Sequence, residues 1–280
     1  MKFSYILLAA GVLLVSVLFL FGNTSLPKKA VANVSAPASK LFSVDSFVNA
    51  QKAQLTPTRN ALIAKLEADL KVQNDSSLKK ANTALATFYK DSLRIFELYA
   101  FYSGEAAKLE NSEKSLTFAA QLFLAALRSE HDDAKLNWET SEAIVLFERA
   151  LKLNPTSADL RIGLGSAYVF GKGKSGDPQQ TMQGIQQLLS VVREDSLNMK
   201  AQLVLAIGGY ASGQYDKAIE RFMKVIKAQP QNLEAVAFLA DTYAAKGDRL
   251  KAIDWYNNSK KIANDPQYSK EVDERIGQLK

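Results

Sequence analysis

The sequence predicts an all-α protein: an α-solenoid of about three to four stacked helix pairs, preceded by an N-terminal helical extension and one N-terminal apolar helix. Three observations predict it. Only 7 prolines and 14 glycines interrupt 280 residues, and no run of alternating Val, Ile, Thr or aromatic residues is bounded by turn residues as a strand would be. The C-terminal half repeats itself at a spacing of 34 residues, the mark of a repeat array. Residues 3–21 are an uncharged apolar run.

That run, from Phe3 to Phe21, is 19 residues long. As a helix it measures about 28 Å at ~1.5 Å per residue, against a bilayer core of about 30 Å. A single-pass membrane anchor over residues 1–22 is therefore expected. A cleaved secretory segment is the alternative. Ala30-Val31-Ala32 has the small-x-small form, but it lies beyond Pro27, Lys28 and Lys29, and the run exceeds the ~7 to 15 apolar residues of a signal peptide. Lys2 and the terminal amine nearly cancel Lys28 and Lys29, so charge hardly sets the orientation. A short uncharged N-terminal run is normally read as an export signal, which places the bulk of the chain outside a bacterial cytoplasm, in the periplasm. An anchor with the bulk inside is the remaining reading. Residues 23–55 are rich in Ser, Ala, Asn and Pro and lack a sustained 3.6 period, and a flexible linker with an r.m.s. reach of about 30 Å is expected there.

Residues 56–111 read as helical. Ala61, Leu62, Leu66 and Leu70 form an apolar stripe. Leu85, Phe88, Tyr89, Phe96, Leu98, Tyr99, Phe101 and Tyr102 form a mostly aromatic cluster, expected to pack against the first repeat rather than to form a ligand cage.

The repeats follow. Ala143, Gly184, Ala218 and Ala252 form a column of small residues. Four positions later stand Phe147, Leu188, Phe222 and Tyr256, and three beyond those Ala150, Val191, Val225 and Ser259. The preceding helices align Leu164, Leu205 and Leu239, then Gly165, Ala206 and Ala240, then Tyr168, Gly209 and Tyr243. Steps of three and four share a helix face. A small residue lets antiparallel helices approach, and a large one fills the groove beside it. Pro155 and Pro230 end second helices, and Gly213 and Gly247 end first helices. One pair cannot cover its apolar face, so pairs stack.

A 34-residue helix-turn-helix with these columns resembles the tetratricopeptide repeat (TPR). The resemblance covers about residues 112–266: a degenerate copy at 112–157, a copy with seven extra residues at 158–198, and good copies at 199–232 and 233–266. Gly209 departs from the usual aromatic, and Ser196 and Asn264 from the usual proline. Residues 267–280 read as a solubilising capping helix. The resemblance implies a concave surface lined by first helices that holds a peptide or helix of a partner protein. From the face opposite the buried columns, its expected lining is Asp159, Ile162, Ser166, Val169 and Phe170; Lys200, Leu203, Ile207 and Tyr210; and Glu234, Ala237, Asp241 and Ala244. Some family members clamp a terminal carboxylate with Lys, Asn and Arg on this surface. Here Ile162, Ser166, Leu203 and Ile207 stand in those places, so an amphipathic helix or extended apolar segment is the better fit.

Other chemistries find little support. The net charge of +6 comes from 35 basic and 29 acidic residues interspersed along the chain, without the clustered face of a nucleic-acid binder. The absence of cysteine removes disulfides, thiolate zinc sites and cysteine nucleophiles. His131 is the single histidine, and with Asp132 and Asp133 it makes a poor metal set. Gly173-Lys174-Ser175 lacks the glycine a phosphate loop needs five residues earlier, where Tyr168 stands, and it follows a helix rather than a strand. No cofactor and no catalytic set are expected. The expected function is a membrane-tethered, non-enzymatic scaffold or adaptor in envelope assembly or protein translocation, with a self-assembling homo-oligomeric structural protein of the envelope as the alternative.

Overall fold

The computed structural model describes residues 41–71, 74–173 and 175–279, and every regular element among them is helical. Thirteen α-helices follow in order: α1 Val44–Lys52, α2 Pro57–Ala68, α3 Asp75–Phe88, α4 Phe96–Glu110, α5 Glu113–Ala126, α6 Asp133–Leu153, α7 Ala158–Ala167, α8 Pro178–Glu194, α9 Met199–Ala211, α10 Tyr215–Ala228, α11 Leu233–Lys246, α12 Arg249–Ala263 and α13 Pro266–Leu279. Short π-helical turns extend α3 (Tyr89–Leu93) and α7 (Tyr168–Lys172). From α3 to α12 each helix packs on its sequence neighbours, so the array is five pairs, α3/α4 through α11/α12, with α13 on α12.

Two features differ from the sequence expectation. The extension at 56–111 contains a full helix pair, α3/α4, which stacks on the next pair. Val44–Lys52, within the stretch expected as linker, is helical: Ser43 caps it by accepting from the Ser46 N–H, and Val48 is buried beneath it. The expected anchor at 1–22 and the linker up to residue 40 lie outside the described residues. Among the described residues no helix is long and apolar enough to cross a membrane.

The repeat columns form the core. Ala143, Ala218 and Ala252 are fully buried, and so are Leu188, Phe222 and Val225, with Phe147 and Tyr256 nearly so. Close approach explains the small column. A Cβ added to Gly184 would stand 2.4 Å from the Tyr168 Cβ and 2.8 Å from the Gly165 carbonyl oxygen, so α7 and α8 touch backbone to backbone. Between pairs, a Cβ on Gly163 would meet the Phe147 ring at 2.3 Å. Gly213 and Gly247 close α9 and α11 with positive φ of 74° and 89°, the left-handed geometry that glycine adopts at least cost.

At the N-terminal end, Val48, Leu85, Tyr89, Leu98 and Tyr102 form a separate cluster. The Tyr89 and Tyr102 rings stack at 5.4 Å with planes 3° apart. Burial, reinforced by the negative fields of Glu67 and Asp45, pushes the Tyr102 phenol up to about 12.

Three substitutions test this packing. Gly163→Ala, although alanine is the better helix former, lowers stability by about 1–3 kcal/mol through overpacking against Phe147. Gly277→Ala, where no atom lies within 4 Å of the new Cβ, raises it by up to about 1 kcal/mol; urea denaturation of both variants reads the sign. For Tyr102 the folded pKa lies above the unfolded value of 10. Its contribution is therefore complete below pH 10 and is lost as pH rises from there to about 12. The stability of Tyr102→Phe falls less steeply across that window in chemical denaturation at graded pH.

Candidate functional site

The first helices of the last three pairs start alike. The side-chain oxygens of Ser157, Asn198 and Asn232 accept from the N–H groups of Leu160 (3.3 Å), Ala201 (3.1 Å) and Ala235 (3.0 Å). These N-caps satisfy an otherwise orphaned donor and define where each helix begins. The surface shared by these helices carries two adjoining cavities.

The first cavity, about 420 Å³, is apolar: Val169, Phe170, Ile207, Tyr210, Ala211 and Phe238 line it, with Gly173, Arg128 and Glu234. The second, about 540 Å³, lies between α11 and α13. It is lined by Arg128, Leu233, Glu234, Ala237, Phe238, Asp241, Tyr256, Tyr268, Glu271, Val272 and Arg275. Arg128, Glu234 and Phe238 form the wall between them.

Arg128 arrives from the turn after α5. Its Nη1 donates to Glu234 Oε1 at 2.7 Å, and its guanidinium lies 5.2 Å from the centre of the Phe170 ring, within cation–π range. Phe170 is carried by the π-turn, in which the Gly173 N–H reaches back to the Tyr168 carbonyl at 3.1 Å. That turn can lie against α6 because residue 171 is glycine: a Cβ there would stand 2.0 Å from Thr140 Oγ1. The aromatic floor continues from Tyr210 to Phe238 (5.8 Å, 66°) and on to Phe222 (6.1 Å, 5°).

Asp241 ties three helices together. Its Oδ1 accepts from the Tyr256 hydroxyl at 2.6 Å and from Arg275 Nη1 at 3.1 Å. Burial, and then the hydrogen bond to Asp241, hold the Tyr256 phenol well above its ordinary value. Burial also raises Tyr210, with the field of Asp241 adding to it. For Arg275, burial works against the charged form, but Asp241 and Tyr256 together more than offset it and the guanidinium is held above its usual pKa. Among the described residues no group of three or more His, Asp or Glu side chains is placed to hold a metal ion.

Of the residues expected to line the surface, Val169, Ile207 and Tyr210 face the first cavity, Glu234 both, and Ala237 and Asp241 the second. Phe170 joins the first group. Ile162 and Ser166 line neither cavity: they are as buried as Val169 and Ile207, but Ile162 clusters with Ala201, Val204 and Leu205 of the next pair. Each first helix is covered by its own partner on one side and by the following pair on the other, so the face opposite the columns is not free along its whole length. Leu203 is partly buried against the α9–α11 core. Asp159 and Lys200 are exposed and pair with each other at 3.1 Å. The sequence reading missed Arg128, Phe238, Tyr256, Tyr268 and Arg275. Phe238 follows Ala237 on a helix already singled out and was within reach of periodicity. Arg128 meets a residue 106 positions away, which no local pattern signals.

Asp241→Ala is expected to cost about 1–3 kcal/mol, the range for a hydrogen-bonded charged group, and to speed amide exchange in α13 more than in α9. Denaturation together with hydrogen exchange measures both.

The tetratricopeptide-repeat family profile matches residues 210–270. Tetratricopeptide repeat protein 6 of Homo sapiens is 26% identical over 130 residues, which are 46% of this chain and 24% of that protein; the chain spans about a quarter of the length of this curated relative. Among solved structures, TTC0263, a thermophilic TPR protein in Thermus thermophilus, is similar with a TM-score of 0.53 at 14% identity, over 72% of this chain and 98% of that one. YrrB, described as a TPR protein with an unusual peptide-binding site, is similar with a TM-score of 0.44 at 18% identity, over 75% of this chain and 97% of that one. Residues 210–270 match the tetratricopeptide-repeat family, and the array in which they lie has the fold of a tetratricopeptide-repeat solenoid.

Proposed function

We propose that this chain is a non-enzymatic protein-interaction scaffold that holds a segment of another protein in the groove on its first-helix face. One observation carries the reading. Two cavities of about 420 and 540 Å³ adjoin along α9 and α11, with an aromatic floor and a rim of charged groups held in place by partners. An apolar floor for anchoring side chains and a polar rim for register are what a peptide or helix needs from a groove.

In the same proposal the scaffold is tethered to a membrane through residues 1–22, with the array on the extracytoplasmic side of a bacterial envelope, serving assembly or translocation there. The uncharged run Phe3–Phe21 supports the tether. A C-terminal reporter fusion active only in the cytoplasm overturns this topology.

The groove reading is tested by crosslinking and co-purification from native membranes. Ala237→Arg places a long cation on the half-buried floor, whereas Met223→Arg alters an exposed site on α10. The expected outcome is a protein partner recovered with wild type and Met223→Arg and lost with Ala237→Arg, all three showing the same helical content. Retention of the partner by Ala237→Arg overturns the groove. Recovery of nothing but the chain itself moves self-assembly into its place.

A further inference from the structure

We infer that Arg128 is a latch on the curvature of the array. While it bonds to Glu234 the first-helix face is drawn closed; release of that bond lets the face open and joins the two cavities into one groove. The latch is a property of the array itself, so it stands or falls apart from the reading of the groove as a partner site.

Packing between first helices runs stepwise, α5 on α7, α7 on α9 and α9 on α11. Among the described residues α5 and α11 make no packing of that kind. Three steps of about 8–10 Å each would carry α11 about 24–30 Å from α5 in a straight stack, well beyond the reach of an arginine side chain. Yet Arg128, in the turn after α5, donates to Glu234 in the first turn of α11 at 2.7 Å. The contact therefore exists only because the steps turn inward together. On the way the guanidinium passes the Phe170 ring, 5.2 Å from its centre, and Phe170 itself packs against the α9–α11 core.

A stacked array is held by contacts between neighbours. These fix each step but leave small changes free to accumulate along the stack. A bond from the second pair to the fifth differs in kind, because it senses the sum of three steps. Its strength suits a latch rather than a permanent strut. The Arg128 side chain is 54% exposed and Glu234 31%, and an ion pair so placed contributes little and is screened by salt. No helix pair has to separate when it breaks, since each stays covered by its own neighbours. Arg128, Glu234 and Phe238 line both cavities, so the movement that straightens the array also removes part of the wall between them.

The test is a distance measurement on the purified full chain. The sequence has no cysteine, so Gln121→Cys on α5 and Ala245→Cys on α11, both exposed, take spin labels at those two sites alone. Double electron–electron resonance reads their separation. Movements of about 1–2 Å at each packed step sum over three steps to about 3–6 Å. The separation is expected to lengthen by that amount on adding Arg128→Gln or Glu234→Gln, with helical content unchanged. High salt lengthens it when Arg128 and Glu234 are both present and not in either variant. The charge exchange Arg128→Glu with Glu234→Arg returns it to the original value. A separation that stays the same in both single variants and in high salt overturns the latch, because helix packing alone then sets the curvature. A lengthening that the charge exchange leaves uncorrected also overturns it, and assigns the curvature to the contact of Arg128 with Phe170.

Discussion

The structure depends on how closely two antiparallel helices can approach. Where Gly165 of α7 faces Gly184 of α8, backbone meets backbone and no Cβ fits between. Where Gly209 of α9 faces Ala218 of α10, an added Cβ would lie 3.3 Å from the Ala218 Cβ. Each such contact sets the spacing of a pair. The large residue four positions later, Leu188 or Phe222, then fills the gap beside it and is fully buried. Once the pair is set, its outer face matches the next pair, as Gly163 receives the Phe147 ring. In a stacked array each unit contacts mainly its neighbours, so an error in one pair's spacing is passed on to the next interface.

The seven-residue insertion shows how the array absorbs a change of repeat length and turns it into surface. A π-turn extends α7 into the inserted segment, a feature often found where a helix serves a function. The turn rests on α6 through Gly171 and Thr140, and it delivers Phe170 to the groove, where Arg128 lies over the ring. Arg128 in turn reaches Glu234 on α11, so one guanidinium links the second pair of the array to the fifth. Bidentate pairing of Arg161 with Glu194, at 2.6 and 2.5 Å, holds α7 to α8 on another side of the same pair. The polar contacts around the groove therefore brace the insertion as well as shaping the opening.

How much was legible in the sequence differs between core and groove. The columns at Ala143, Gly184, Ala218 and Ala252, and at Phe147, Leu188, Phe222 and Tyr256, follow from spacing alone, and the structure buries all of them. Helical period likewise places Tyr210, Glu234, Ala237 and Asp241 on the groove side. Ile162 and Ser166 obey the same period and yet line neither cavity. The α1 helix escapes a reading based on composition, because Val44–Lys52 is short and its apolar contacts are made with α3 and α4 rather than within itself.

By itself the sequence determined the helical class, the pairing of helices and their buried faces, because those follow from steps of three and four along one chain and from which side chains are small. Tertiary structure alone decided which part of each first helix stays open, because burial there depends on how far the next pair advances over the last. It alone brought Arg128 to Glu234 and Arg275 to Asp241, across 106 and 34 positions. A charge on a solvated face looks the same in sequence whether or not the superhelix carries a partner to it. The groove is thus a product of stacking: its floor is written in the period of α9 and α11, and its charged rim exists only once the pairs are assembled.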